Sequence, residues 1–449
     1  MRRLSRATLV DAHDVVVPDY DRSTTPAIVH LGIGAFARAH LAVYADDLLQ
    51  SGCPAAIRGI SLRSARAERE LGPQDGWYTV TTREPAAPVT TRLVGSVASV
   101  ASGTEAAIAA IADPATSLVT LTVTEKGYEL EGLTSTPAVL AAALDRRRRR
   151  TGSPVVVAAL DNLLDNGEVL RRQVMRAAES LDDELAAWTS RHVCFPRSVV
   201  DRMVPSTTEK DREQIAAGLG LIDLGAVVAE AHRSWVLEAV DGIPPLQHVG
   251  VELVTDVGPY ERRKLWLLNG PHSAFAYGGL LAGHRTIAGA AADPVVSDFV
   301  RALVDDVLTV FPGDDMAPTA FAESSLRRFA NPALGHTCAQ VGADGSRKLP
   351  QRLLPVMDLR QERGLATDRF AVVVATWLAA VTATPVTSRL LPPIDDPATD
   401  DIRVALRKQG AEAAVAVAFG DRFRHHGPEV AQTFARVARE GVGALGVRQ

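Results

Sequence analysis

The sequence predicts an α/β protein in two parts: a parallel sheet with helices on both faces, then a mostly α-helical C-terminal domain. Three observations predict it. At 449 residues the chain exceeds what a single core usually supports. Through its first half, short β-branched runs alternate with Ala/Leu-rich helical stretches, the pattern of a parallel sheet buried on both sides. From about residue 256 those runs become scarce and helical periodicity takes over. The boundary is therefore set near Val254–Gly258, giving domains of 1–255 and 256–449.

The first strand is "AIVHL", followed at once by glycines and a helical stretch. "AAIRGISL", "SLVTLTVTE" and "SPVVVAAL" are further strands, separated by the helices "TEAAIAAIAD" and "STPAVLAAALDRRRR". The arginine run Arg146–Arg150 reads as a charged, solvated helix end beside the negative pole of the helix dipole. The longest apolar run, Phe370–Ala383, falls short of the ~20 residues a membrane span needs and reads as a buried helix. The tail reads as a helix with a loose end.

Composition narrows the function. With 47% hydrophobic and 22% charged residues and a net charge of −5, a strongly basic nucleic-acid binder is excluded on the global balance. Three scattered cysteines without a CxxC or Cys/His cluster argue against a disulfide framework or a structural zinc site, and fit a reducing cytoplasm. The apolar stretch in "MRRLSRATLVDAHD" is too short for a signal peptide, so a cytoplasmic protein is expected.

Gly32-Ile33-Gly34-Ala35-Phe36-Ala37 reads G-x-G-x-x-A between a strand and a helix. There the first glycine permits a tight turn and the second lets a pyrophosphate approach the backbone. The small Ala37 lets helix and strand pack closely, and the helix N-terminus receives the phosphates. The next strand ends at Arg63-Ser64, with Arg66 beyond, where an acidic residue would grip the ribose hydroxyls. These residues suit a 2′-phosphate, so NAD and NADP both stay open.

A second stretch, "YERRKLWLLNGPHS" (260–273), sets Glu261, Lys264, Asn269 and His272 among leucines. As a regular α-helix at about 100° per residue, Glu261 and His272 fall within roughly 80° of Lys264, and Asn269 about 140° away. A solvated stripe is the plain reading of such a face.

Together with "HLGIGAFARAH" (30–40), "LTVTEKGY" (121–128), "LDNLLDNG" (160–167), "FPRSVVDRMVP" (195–205), "RFANPALGH" (328–336) and "DGSRKLPQRLLP" (344–355), the stretch resembles the polyol-specific long-chain dehydrogenases. This is the mannitol dehydrogenase and fructuronate reductase family. The resemblance spans roughly residues 26 to 356. It implies a Rossmann-type N-terminal domain, a helical C-terminal domain, a cleft between them, and metal-independent hydride transfer between a nicotinamide and a sugar carbon. By motif position, Lys264 would be the general acid/base, and Asn162 and Asn269 would polarise the carbonyl. His272 would meet the substrate hydroxyl or orient the lysine, and Glu261 would lie on the proton route to solvent. Asp201 and Lys348 would meet substrate hydroxyls; Phe36 and Glu125 would join Gly32, Gly34, Ala37 and Arg63 around the cofactor. A lysine desolvated among leucines would have its pKa lowered into a useful range, and two amide donors would stabilise alkoxide charge. Plainer readings stand beside these: Asn162 and Asn166 as turn or cap residues, Asp201 as a helix cap or partner of Arg202.

The departures point to a branch. Gln340 and Ala343 stand where mannitol dehydrogenases carry an arginine and a histidine before D-G-S. With "TEKGY" and "KLPQRLL", Gln340 resembles the fructuronate reductase branch. Lys126 and Arg352 are then candidates for a substrate carboxylate, against the solvent-facing state common for such residues. The expected function is NAD(H)-dependent interconversion of a ketohexuronate and its alcohol, D-fructuronate to D-mannonate being the family's example. A mannitol or arabinitol 2-dehydrogenase is the same-class rival, and a catalytically silent dinucleotide-binding sensor the rival of another class. The resemblance implies a monomer, and a helical domain trimmed after residue 356.

Overall fold

Six parallel strands form the main sheet of the first half of this computed structural model, which describes residues 1–22, 27–85, 87–123, 134–382, 394–423 and 425–446. The strands, in chain order, are β1 (Ile28–Leu31), β2 (Ile57–Ser61), β3 (Tyr78–Thr82), β4 (Thr90–Val94), β5 (Val97–Ser102) and β6 (Leu118–Leu121). There follow β7 (Val155–Ala159), β8 (Val193–Cys194), β9 (Ser198–Asp201), β10 (Val227–Ala229), β11 (Ser234–Glu238) and β12 (Glu252–Val254). The main sheet runs β5-β2-β1-β6-β7-β8 with all neighbours parallel. Counting only those six strands, that is the 3-2-1-4-5-6 order of a Rossmann-type domain, with the switch point beside β1 and β6.

Strand residues alternate between two cores. Ile28, Ile57, Leu118 and Val156 pack on one face; Val29, Leu31, Ile60, Val119 and Val157 pack on the other. Burial on both faces is why these strands read as unbroken apolar runs. The helix Thr136–Arg150 starts where expected, its N-terminus capped by Ser135, which accepts from Ala138 N–H. Two further sheets, β10-β3-β4 and β12-β11-β9, have no counterpart in the sequence reading. Their strands are three to five residues long and mixed in polarity ("TTRLV", "ELV"), too short to carry a clear period.

The arginine run ends its helix with Arg146, Arg149 and Arg150 exposed, as a charged, solvated helix end should; Arg147 is the exception. Arg147 is buried, and its guanidinium donates to the carbonyls of Ile111, Asp113, Thr116, Ser153 and Pro154. Arg146 pairs with Glu105, Arg148 with Asp145 and Asp182, and Arg149 with Asp145. The buried cation is satisfied by five acceptors, so Arg147 ties the helix to neighbouring loops.

The chain divides into two units, Met1–Gly258 and Pro259–Gln449. The second is helical. Its helix Asp368–Thr382 is buried from Phe370 to Val381 and packs against the helices Gly270–Leu281 and Gly427–Glu440. Among the described residues, no helix is long and apolar enough to cross a membrane. After Glu440 a 3₁₀ turn, Gly441–Leu445, buries Ala444 and Leu445, and the end of the tail, 447–449, lies outside the described residues.

Candidate active site

In the first unit the site grows from the turn after β1. Gly32 has φ +99°, and a Cβ there would lie 2.4 Å from the carbonyl oxygen of Thr122, so only glycine fits. Gly34 differs. A Cβ there would meet nothing nearer than 3.8 Å, so the backbone faces open space, as a phosphate cradle requires. Gly34 caps the short helix Ala35–Ala39, in which Ala37 is buried in the core.

His30 was not anticipated from the sequence. Its ring is buried and sits 2.8 Å from Thr120 Oγ1, 3.2 Å from the Gly32 carbonyl and 3.1 Å from Thr122 Oγ1. The glycine turn is therefore held from below by an imidazole whose pKa burial lowers to about 4, so it is neutral at pH 7.

A cavity of about 550 Å³ opens in front of this turn. Gly32, Gly34 and Thr122 line it on one side, and Ser61, Arg63 and Ser64 on the other. Arg66, Arg38 and Arg212 add cationic groups to the wall, against one carboxylate, Glu70, among the described residues. Arg63 and Ser64 are exposed at its rim, and Arg66 is 2.8 Å from Glu70. Phe36 is not part of this wall: its ring stacks on His40 at 5.0 Å and packs on the core. Arg38 takes a place in the wall that motif reading had not given it, donating to the carbonyl of Gly225 at 2.7 Å. Glu125 and Lys126 lie outside the described residues.

Asn162 is exposed on the loop after β7, beyond the carboxyl end of the strand. Asn166 is structural. Its amide donates to the carbonyls of Ala159 and Ser198, and its oxygen accepts from Ser198 N–H, bracketing β7 to β9. Asp201 is the buried last residue of β9, not a helix cap, and lies 3.5 Å from His232 Nε2.

In the second unit the stretch 260–273 is helical but not one regular α-helix. An α segment, Gly258–Lys264, passes into a π segment, Leu265–Asn269, and then into the α-helix Gly270–Leu281. Gly270 N–H donates to the carbonyl of Leu265, five residues back. Pro271 supplies the cause: it has no N–H for the Leu267 carbonyl and its ring clashes with that group in α geometry. A π turn amounts to one residue inserted into the ladder, so everything beyond it rotates back by about 100°. Asn269 then lies about 40° from Lys264 instead of about 140°, and His272 about 20° away. The proline-induced bulge brings the three polar groups into line.

Their surroundings are apolar. Leu265, Trp266, Leu267 and Leu268 are buried, while Lys264, Asn269 and His272 are half-buried. Glu261 is buried one turn before Lys264. The His272 ring stacks on Phe329 at 4.7 Å. Lys348 is half-buried, its ammonium donating to the Ala343 carbonyl at 2.7 Å.

Two expected substrate contacts are otherwise engaged. Gln340 is exposed, and its side-chain oxygen accepts from the backbone N–H and hydroxyl of Thr337 in a capping box. Its side-chain oxygen therefore serves a helix start. Arg352 donates to the Asn269 carbonyl at 3.3 Å and to Ser273 Oγ at 2.7 Å, facing the lysine-bearing helix.

Known proteins match this arrangement over nearly the whole chain. Residues 26–247 match the mannitol dehydrogenase Rossmann domain, and residues 256–440 the mannitol dehydrogenase C-terminal domain. D-mannonate oxidoreductase of Escherichia coli (strain K12) is 33% identical over 447 residues, 91% of each chain. Mannitol 2-dehydrogenase of Pyricularia oryzae is 32% identical over 475 residues, 95% of this chain and 94% of that one. The solved structure of Pseudomonas fluorescens mannitol 2-dehydrogenase, in ternary complex with NAD and D-mannitol, superposes with a TM-score of 0.88 at 30% identity. It covers 99% of this chain and 98% of its own. Fold and relatives together define an oxidoreductase. The chain belongs to the mannitol dehydrogenase family.

Proposed function

We propose that this protein reduces a keto-sugar to its alcohol, and runs the reverse oxidation, with a nicotinamide dinucleotide as hydride carrier and D-fructuronate/D-mannonate as the first pair to test. The observation that carries the chemistry is the π turn at Leu265–Asn269, which by helix geometry turns Asn269 and His272 toward the side that carries Lys264. The bound nicotinamide supplies the hydride in reduction and accepts it in oxidation. Lys264, as an ammonium, has three N–H donors and gives one proton to the carbonyl oxygen; as an amine it takes that proton back from the alcohol. The Asn269 amide donates a hydrogen bond to the same oxygen and stabilises its developing negative charge. His272 orients the lysine or meets a neighbouring hydroxyl. Glu261, buried one turn before the lysine, is assigned to the proton route. Asn162 is assigned as an amide donor to substrate, and Asp201 and Lys348 as partners for substrate hydroxyls.

The dinucleotide fits the first unit on two observations, the open approach to Gly34 and the arginine-rich cavity wall. NAD is the coenzyme in the Pseudomonas fluorescens mannitol 2-dehydrogenase complex. The rim of this cavity, with Arg63 and Ser64 exposed and no carboxylate from Ser61 to Ala65, also suits a 2′-phosphate. If NADPH is accepted, Arg63→Glu is expected to lower its kcat/KM about tenfold relative to NADH, the loss of one charge-assisted bond. An unchanged NADPH/NADH ratio would remove Arg63 from the coenzyme site.

The hexuronate reading is supported by the likeness to D-mannonate oxidoreductase and by the stretch "KLPQRLL" (348–354). The likeness to mannitol 2-dehydrogenases favours a neutral polyol as the second reading. NADH and NADPH consumption with D-fructuronate and D-fructose side by side separates them. Oxidation of coenzyme with fructuronate alone fixes the hexuronate branch, and with fructose alone the polyol branch. NADH binding without turnover on any keto-sugar would overturn both.

A further inference from the structure

We infer that Arg352 is a positioning residue that holds the Asn269 amide in register, an inference resting on the reading of Lys264 and Asn269 above. Asn269 closes the π segment, and the backbone carbonyl of that residue receives one N–H of Arg352 at 3.3 Å. The same nitrogen reaches the buried hydroxyl of Ser273 at 2.7 Å, one turn further along. Both acceptors lie on the exit from the bulge, and the donor comes from a different helix, Gly345–Arg352. That matters because a π turn is a local departure from the α ladder and needs support from its surroundings. Relaxation toward α register would swing Asn269 through about 100° and out of line with Lys264. A guanidinium is suited to resist this: it is planar, always charged, and holds several donors in a fixed fork.

This assignment competes with the simpler one, in which Arg352 meets a substrate carboxylate, and kinetics separate them. Arg352→Met, Arg352→Lys and Ser273→Ala are assayed with NADH and with NADH deuterated at the transferring position, on each ketose the enzyme turns over. Lys264→Ala is run alongside. Arg352→Met is expected to lower kcat about ten- to a hundredfold, the scale of a small misplacement of a catalytic group, with KM changed less than about threefold. The deuterium isotope effect on kcat should rise as hydride transfer becomes rate-limiting. Arg352→Lys should recover part of the rate, and Ser273→Ala should lose less than Arg352→Met. If Arg352→Met does not fold, the lysine and serine variants carry the same test.

A raised KM for an acidic ketose with kcat kept would move Arg352 to the substrate and overturn the inference. Unchanged kcat and isotope effect would also overturn it, leaving a clamp with no bearing on the reaction. Full turnover by Lys264→Ala would remove the reading beneath it, whereas an inactive Lys264→Ala beside a normal Arg352→Met would remove this inference alone.

Discussion

Lys264→Ala is expected to lower kcat by at least a hundredfold and up to about ten-thousandfold, while the dissociation constant for NADH stays within about threefold. The two effects separate because the groups stand on different units. The glycine turn and its cavity belong to Met1–Gly258, and Lys264 to Pro259–Gln449. On the proposed reading, removing the ammonium removes the proton that must reach the carbonyl oxygen as hydride arrives at carbon. The Asn269 amide remains, so on the same reading some stabilisation of the oxyanion should persist and the rate should not fall to the uncatalysed level. Alanine also leaves the helix intact, because position 264 precedes the bulge and alanine has the best helix propensity. The pH profile is the sharper readout. If Lys264 is the acid/base group, the limb of the kcat/KM profile that reports its ionisation should vanish in the variant. Near-parental kcat at every pH would show that another group moves the proton.

What the sequence made legible, and what it hid, follows from the range of the interactions. β1, the glycine turn and the helix Thr136–Arg150 were legible because burial on both faces, a positive-φ glycine and a Ser-capped start leave local marks. Lys264 and Asn269 were legible as residues but not as a geometry. Counting about 100° per residue put them far apart, although Pro271, which breaks that count, stands in plain sight two residues on. Gln340 carried a readable signal too, the Thr337-x-x-Gln340 spacing of a capping box, which comparison with a family motif had overshadowed. Arg147 and Arg352 were illegible for a different reason. Most of their acceptors come from loops and helices distant in the chain, 31 to 36 residues away for three of the Arg147 carbonyls and 83 for the Arg352–Asn269 contact. No periodicity records such a contact. His30 is the intermediate case: a polar side chain in an apolar strand is visible, but its partners Thr120 and Thr122 lie on and just beyond β6.

Acid is expected to destabilise the first unit steeply below about pH 6.5, through two buried histidines. Burial pushes the pKa of His30 down to about 4 and that of His40 to about 3. His30 has both ring nitrogens placed for hydrogen bonds as a neutral ring, with the Gly32 carbonyl fixing the proton on Nε2. His40 donates from Nε2 to the Ser234 carbonyl at 2.9 Å, and among the described residues its buried Nδ1 has no hydrogen-bond partner to receive a second proton. Arg202 and Arg233 near that ring oppose a positive charge further, though Asp201 offsets part of this. In the unfolded chain both histidines return to the ordinary value near 6.5 and take up protons below it. The folded form does not, so the unfolded state binds more protons and stability falls as pH drops from about 6.5. The loss levels off only below about pH 4 for His30 and about pH 3 for His40. Within the window each histidine costs about 1.4 kcal/mol per pH unit, so the pair removes about 4 kcal/mol by pH 5. That is a large share of the ~5–15 kcal/mol that holds a typical protein folded. Urea unfolding of the full chain between pH 7.5 and 5, followed by tryptophan fluorescence (Trp235 lies against His40), measures the slope directly. His40→Gln keeps an N–H donor for Ser234 and cannot ionise, so its stability should depend on pH by about one proton less than the parent. A variant with the parent's slope would mean that His40 takes up no proton on unfolding in this range, and that the acid sensitivity lies with other groups.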